Sequence, residues 1–197
     1  MIQSVGVYCA SSDHIDRVYF YAAATLGRIL AEREYTLLYG GGNVGLMGEM
    51  ARAVHGHGGR VVGYIPRRLH GAVGIPYMRA DELVVTETMQ DRKRNIFSRA
   101  DAFVVLPGGF GTMEEFMEVL TLKQLGYHNK PIALVNTERF FEPLLALADH
   151  FYRTRFAGKH TRRLYHVAPD PVDALDYIDA YEPEQVVSKW AGGEGAN

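Results

Sequence analysis

The chain has 197 residues, 47% of them apolar, which suffices for one sizeable hydrophobic core but not for two independent domains. The net charge is −2 and the basic residues are dispersed, so the composition argues against a nucleic-acid partner. No apolar stretch approaches the roughly 20 residues that cross a bilayer, no secretion signal precedes the first strand, and Cys9 is the single cysteine, so we expect a cytoplasmic protein without an internal disulfide.

Short apolar runs alternate with helical patterns along the chain. The predicted strands are Ser4 to Cys9, Thr36 to Tyr39, Arg60 to Ile65, Glu82 to Thr86, Ala102 to Leu106, Pro131 to Val135 and Leu164 to Val167. The predicted helices are Ile15 to Leu30, the segment from the glycine turn Gly40 to Gly48 as far as Val54, Met89 to Arg99, Thr112 to Leu125, Phe140 to Phe156 and Pro171 to Ile178.

This alternation predicts an α/β fold, a doubly wound, Rossmann-like parallel sheet with helices on both faces. We expect a single domain over residues 1–180 and a tail, 181–197, whose glycine-rich end is disordered. The segment Arg67 to Asp81 is predicted to be a long loop that could cover a ligand. His55 and His57 lie in a glycine-rich helix exit without Cys, Asp or Glu beside them in sequence, so we predict no metal site.

Two glycine-rich turns follow predicted strands and open helices. Gly40-x-Gly42-x-x-Gly45 matches the dinucleotide-binding fingerprint, but the next strand ends in Pro66-Arg67-Arg68 rather than in an acid that would hold a ribose hydroxyl. An NADP-dependent reductase using Arg67 and Arg68 is therefore one alternative. It leaves the second glycine turn unexplained.

That second turn is Pro107-Gly108-Gly109-Phe110-Gly111-Thr112, followed by Met113-Glu114-Glu115. Glycines let backbone N–H groups approach an anion, and the unpaired N–H groups of a helix start favour phosphate. We place both glutamates in the first helical turn. Glu114 suits the helix dipole there, whereas Glu115 shares a helix face with apolar residues, which favours a chemical role beside an anchored phosphate.

The helix that begins at Met89 carries Arg92, Lys93 and Arg94 near its start, where the helix dipole disfavours cations. In a parallel sheet this helix start lies at the same edge as the second glycine turn, where ligands of such folds bind. We therefore expect Arg92 to reach the site with a packed stem, and Arg94 to face solvent.

These motifs together, with Gly40-Gly41-Gly42-x-x-Gly45-Leu46-Met47-Gly48 upstream, resemble the LONELY GUY (LOG) family, the cytokinin riboside 5′-monophosphate phosphoribohydrolases, which are often labelled lysine decarboxylases. The resemblance implies hydrolysis of the N-glycosidic bond of a cytokinin or adenine nucleoside monophosphate without a metal or redox cofactor. It also implies a homodimer or higher oligomer.

By this resemblance Arg92 and Glu115 are catalytic. The expected substrate-binding residues come from the two glycine turns, the two helices and the turn after the first strand: Lys93, Gly108, Gly109, Phe110, Gly111, Thr112, Met113, Glu114, Thr121, Gly41, Gly42 and Ser12. The rival from another class is a non-catalytic nucleotide carrier or sensor, which would need neither Arg92 nor Glu115.

Overall fold

The computed structural model describes residues 2–71 and 75–183. Its strands are β1 (Ser4–Tyr8), β2 (Thr36–Tyr39), β3 (Val61–Pro66), β4 (Glu82–Thr86), β5 (Ala102–Val105), β6 (Ile132–Val135) and β7 (His166–Ala168). Its helices are α1 (Arg17–Glu32), α2 (Gly45–Gly56), α3 (Arg67–His70), α4 (Met89–Arg99), α5 (Phe110–Gln124), α6 (Glu142–Arg153) and α7 (Pro171–Asp179). The predicted disordered end of the tail lies in residues 184–197, outside the described residues.

The seven strands form one parallel sheet in the order β4-β3-β2-β1-β5-β6-β7, which confirms the predicted doubly wound architecture. The chain builds outward from β1 through β2, β3 and β4, then returns to the other side of β1 with β5. The order of the strands therefore reverses at β1, and ligands of open α/β sheets bind at the carboxyl edge of such a point.

Both faces of the sheet are covered, because the side chains of each strand alternate between two apolar clusters. On one face Val5 and Val7 of β1 pack with buried residues of α1, α2 and α7. On the other, Tyr8 packs with Ile96 of α4 and Phe116 of α5. The sheet thus fixes the positions of α4 and α5 side by side over the carboxyl half of β1.

The helix ends differ from the sequence-based expectations where polar side chains cap them. Asp16 caps α1 by accepting a hydrogen bond from the backbone N–H of Val18, so α1 starts at Arg17 instead of Ile15. In the preceding turn, the Ser12 hydroxyl accepts a hydrogen bond from the N–H of His14. Thr88 caps α4 through the N–H of Asp91, which supports the predicted start of that helix at Met89.

Two other segments depart from prediction. The expected loop over Arg67 to Asp81 begins with the short helix α3, and residues 72–74 lie outside the described part. The helix expected from Phe140 begins at Glu142, after a 3-10 turn at Thr137–Arg139. Within the described residues, no helix is both long and apolar enough to cross a membrane.

Gly45 fixes the start of α2 against the loop after β1. Its φ is +61°, and a Cβ atom there would lie 2.6 Å from the backbone carbon of Ser11 and 2.7 Å from the nitrogen of Ser12. Its N–H donates to the Asp13 carboxylate at 2.7 Å, and the next N–H, of Leu46, donates to the carbonyl of Ala10. The two loops at the centre of the carboxyl edge are therefore joined at a glycine that no other residue replaces without strain.

We expect Gly45→Ala to lower the free energy of unfolding by about 2 kcal/mol or more, because the left-handed backbone and the backbone collision both oppose a Cβ atom. Urea denaturation measures this. Gly56→Ala at the other end of α2 is the matched control, since a Cβ atom there meets nothing within 4 Å. Equal unfolding free energies for the two variants would contradict this account of Gly45.

Candidate functional site

A cavity of about 620 Å³ opens at the carboxyl edge of the sheet, between the loops after β1 and β2 and the starts of α4 and α5. Its floor is polar and contains Tyr8, Arg92 and Glu115. One side is apolar, and is lined by Val44, Met47, Ile65, Leu69, Ile75 and Met89. The cavity lies where the strand order reverses, the expected place for a ligand in this fold.

A buried ion pair joins α4 to α5 at this floor. A terminal guanidinium nitrogen of Arg92 lies 2.5 Å from Oε1 of Glu115, and the two side chains are only 11% and 9% exposed. Nε of Arg92 also donates to the carbonyl oxygen of Tyr64 at the end of β3, at 3.1 Å. These two bonds hold the guanidinium in one orientation, as expected from the packed stem, and leave one Glu115 oxygen without a bond to this arginine.

Burial raises the pKa of the Glu115 carboxyl, and the charge and hydrogen bond of Arg92 oppose that rise. A carboxylate in such surroundings attracts a developing positive charge more strongly than one in water, because little solvent screens it. A site with a perturbed acid and a directed cation in a cleft is typical of a catalytic centre.

Gly40 makes this placement of Arg92 possible. A Cβ atom on Gly40 would lie 1.9 Å from a terminal nitrogen of the guanidinium, so only glycine lets the arginine side chain lie against the backbone after β2. The first glycine turn therefore contacts the ion pair directly. In the sequence this glycine belongs to a pattern typical of dinucleotide binding, and nothing in that pattern links it to Arg92.

The start of α5 differs from the prediction in a way that favours anion binding. The helix begins at Phe110, two residues earlier than expected, so Glu114 and Glu115 lie beyond its first turn, which contains no acid. The expectation that both acids occupy the first turn was wrong, because Gly109 caps the helix with backbone alone. No carboxylate in the first turn of α5 therefore competes with an anion for its backbone N–H groups.

The glycines of this turn leave room for a ligand. Cβ atoms built on Gly109 or Gly111 meet nothing within 4 Å, whereas one on Gly108 would collide with the side chain of Thr112. Phe110, between the two open glycines, is 97% exposed and projects at the cavity mouth. The turn therefore combines accessible backbone with a side chain that contacts no core.

Lys93 lies beside the ion pair but has acidic partners of its own. Its Nζ is paired with Glu114 and lies 3.2 Å from Glu118. Glu114 is largely exposed, unlike Glu115, so the two adjacent glutamates occupy different environments. Arg94 is exposed, as predicted, and pairs with Asp91 on its own helix.

The apolar side of the cavity rests on a hydrogen-bond network that the sequence did not reveal. The turn after β2 is bound to the segment after α3, through Asn43 N–H to Ile75 O at 2.8 Å and Tyr77 N–H to Gly41 O at 2.9 Å. Behind it, His55 contacts the Tyr77 hydroxyl through Nδ1 at 2.8 Å and the Asp81 carboxylate through Nε2 at 3.0 Å.

No acid lies beside His55 in sequence, but the fold brings Asp81, which is distant in sequence, next to it. His55 is also the penultimate residue of α2 rather than part of the glycine-rich exit that follows this helix. Within residues 2–71 and 75–183 no group of three or more His, Cys, Asp or Glu side chains is arranged to hold a metal ion. His55 instead links the last turn of α2 to the segment that carries Ile75.

The cavity brings together most of the residues expected at the site. Those that line it are Arg92, Lys93, Glu114, Glu115, Gly109, Phe110, Gly111, Thr112, Gly42 and Ser12. Those that do not line it are Gly41, Gly108, Met113 and Thr121, the last being exposed further along α5.

Other residues bear on the alternatives. Arg67, required by the NADP interpretation, is exposed and paired with Glu87, outside the cavity lining. Cys9 is buried at the cavity, and burial raises the pKa of its thiol, so the reactive thiolate is scarce and packing is its role. Tyr8 was missed because a tyrosine inside an apolar strand is typical of the core.

The family model described as "Possible lysine decarboxylase" matches residues 47–178. A probable cytokinin riboside 5′-monophosphate phosphoribohydrolase, LOGL2 of Oryza sativa subsp. japonica, is 39% identical over 187 residues, covering 94% of this chain and 76% of its own. The phosphoribohydrolase LOG2 of Arabidopsis thaliana is 40% identical over 178 residues, covering 90% of this chain and 83% of its own.

Solved structures give the same fold. A molybdenum cofactor binding protein from Rippkaea orientalis superimposes with a TM-score of 0.69 at 19% identity, over 91% of this chain and 97% of the other. The molybdenum cofactor carrier protein of Chlamydomonas reinhardtii gives a TM-score of 0.67 at 24% identity, over 91% and 97%. These likenesses concern the fold alone. The sequence relatives, matched over nearly the whole chain, place this protein in the LOG family of cytokinin riboside 5′-monophosphate phosphoribohydrolases.

Proposed function

We propose that this protein is an enzyme that hydrolyses the N-glycosidic bond of a nucleoside 5′-monophosphate, releasing the free base and ribose 5-phosphate. The observation that carries the proposal is the buried Arg92–Glu115 pair at the floor of a cavity whose rim is an anion-binding helix start. A carrier or sensor would bind a nucleotide without a desolvated carboxylate at the sugar. Relatives named phosphoribohydrolases support the same activity.

The first turn of α5 suits the 5′-phosphate. Its N–H groups have no capping side chain, Gly109 and Gly111 leave the approach open, and the dipole of the helix adds positive potential. The Thr112 hydroxyl lines the same space. Anchoring the phosphate there holds the attached ribose over the floor of the cavity.

Glu115 then faces the sugar. As hydrolysis begins, the bond from C1′ to the base lengthens and positive charge develops on the ribose. The carboxylate either stabilises this oxocarbenium-like centre or removes a proton from the attacking water. Arg92 orients the carboxylate and the substrate, or stabilises departing negative charge. Water supplies the oxygen for C1′ and the proton for the base, so the reaction needs no metal or redox cofactor.

The apolar side of the cavity suits the base. Side chains such as Met47, Leu69 and Ile75 offer surface to a purine and to an apolar substituent on it. We propose adenine nucleotides as the substrate class, with AMP and the isopentenyl-substituted cytokinin nucleotide as the two members to compare.

We further propose a homodimer or higher oligomer in the cytoplasm. Exposed apolar side chains of Met89, Phe110 and Met117 lie around the mouth of the cavity and on the adjoining face of α5, a surface that a second copy would cover. A buried, unreactive single cysteine fits a reducing compartment.

We expect the wild-type protein to release adenine from AMP, or isopentenyladenine from isopentenyladenosine monophosphate, as followed by chromatography. Glu115→Gln should lower kcat by roughly 10²–10⁴-fold with a much smaller effect on nucleotide binding, because the amide keeps the shape and removes the charge. Glu32→Gln, at an exposed site at the end of α1, is the control. Nucleotide binding without release of either base would contradict the enzymatic function and support the carrier alternative.

We expect kcat/KM to fall as pH falls through the pKa of Glu115, because only the ionised carboxylate acts. Burial raises this pKa, so the fall should occur at a higher pH than for an ordinary glutamate. The second pKa of the substrate phosphate, about 6, lies in the same pH region. The profile is therefore repeated with the nucleoside 5′-phosphorothioate. A limb that moves with the substrate, while circular dichroism shows a folded protein, would refute the assignment to Glu115.

We expect Gly40→Ala to lower kcat on the order of 100-fold, because the added Cβ atom would occupy the place of the Arg92 guanidinium and shift it from Glu115. Steady-state kinetics and a thermal unfolding scan separate activity from stability. Gly56→Ala controls for the glycine substitution itself. Normal kcat in folded Gly40→Ala protein would show that the position of Arg92 is not needed.

A further inference from the structure

One polar group at the floor of the cavity is used by none of the steps above. Tyr8, the last residue of β1, is 3% exposed and lines the cavity beside Arg92 and Glu115. Among the residues that the structure describes, none hydrogen-bonds to its hydroxyl. The hydroxyl of Tyr39, on the neighbouring strand, is fully buried in the core, whereas the hydroxyl of Tyr8 is not. The oxygen is therefore open to the cavity.

The surroundings of Tyr8 hold its phenol beside the ion pair. Its ring stacks on Phe103 of β5, with centroids 5.9 Å apart and planes 11° apart. It belongs to the apolar cluster that contains Ile96 and Phe116. Ile96 lies one helical turn after Arg92, and Phe116 directly follows Glu115. Two of the three side chains that pack around the ring are thus anchored in α4 and α5, the helices that carry the ion pair.

The phenol acts as a hydrogen-bond donor. Burial raises its pKa well above the usual value, and the negative charge of Glu115 raises it further, although Arg92 opposes this. The hydroxyl consequently keeps its proton throughout the working pH range. A buried neutral donor without a protein partner costs free energy unless a ligand accepts its hydrogen bond.

We propose that the Tyr8 hydroxyl donates a hydrogen bond to a sugar hydroxyl of the bound nucleotide, and that it makes the enzyme selective for ribonucleotides. The inference rests on the proposed function. With the phosphate at the start of α5 and the base against the apolar side, the sugar lies over the polar floor. Of the three polar side chains there, Arg92 and Glu115 are paired with each other and are assigned to the reaction at C1′, so the Tyr8 hydroxyl is the donor left for a sugar hydroxyl.

The test measures kcat/KM of wild type and of Tyr8→Phe for AMP, 2′-deoxy-AMP and 3′-deoxy-AMP. Phenylalanine keeps the ring on Phe103 and removes only the hydroxyl. We expect a loss on the order of three- to tenfold with AMP, and no loss with the analogue that lacks the contacted hydroxyl. Ratios between substrates within one protein do not depend on how much of the variant is folded. Tyr39→Phe removes a buried hydroxyl outside the cavity lining, so the ratios of kcat/KM between the three nucleotides should stay those of wild type.

The outcomes separate this inference from the proposed function. Equal losses with all three nucleotides would make Tyr8 a packing residue and overturn the inference, while base release from AMP leaves the enzyme assignment intact. The deciding comparison is the effect of Tyr8→Phe on each nucleotide, because loss of the 2′-hydroxyl by itself makes the N-glycosidic bond more labile. Failure of wild type to release a base from any nucleotide would overturn the proposed function and the inference together.

Discussion

The buried ion pair between Arg92 and Glu115 is the interaction on which the rest of the site depends. Taking both charges out of water is costly, and a buried pair is weak evidence for a contribution to stability. Its cost is offset by a second bond from Arg92 to the carbonyl of Tyr64 and by the close fit of the guanidinium on Gly40. A pair that is fully satisfied on one side and open to a cavity on the other is better explained by chemistry than by folding.

The sheet supplies the rigidity that this pair requires. Parallel strands end at one edge, so β2, β3 and the starts of α4 and α5 deliver a glycine, a carbonyl, an arginine and a glutamate to one point from four different parts of the chain. Gly45 lets two backbone segments approach each other, and Gly40 lets the Arg92 side chain lie against the backbone. The core clusters on either face then fix the helices, which allows the charged groups to be placed without flexible loops.

The polar and apolar parts of the cavity correspond to the three parts of a nucleotide. Backbone N–H groups at the start of α5 suit a phosphate, the floor of Tyr8, Arg92 and Glu115 suits a sugar, and the apolar side suits a base. That apolar side rests on His55, Tyr77 and Asp81, which bind α2, β3 and the segment after α3 together. The position of this apolar side is thus connected with packing well outside the cavity, through the backbone contact of Ile75 with Asn43.

Local information in the sequence predicted the order of the strands and of the six longer helices, the parallel doubly wound sheet, and the glycine turn and two charged residues proposed for the site, because strand and helix periods and glycine turns are properties of neighbours along the chain. The start of α5 was misjudged, since a glycine cap leaves no side-chain signal. Only the tertiary structure decided which groups meet: Gly40 with Arg92, His55 with Asp81, and Tyr8 with the cavity. Those contacts join residues far apart in sequence, and their distances depend on how the sheet brings strand ends together.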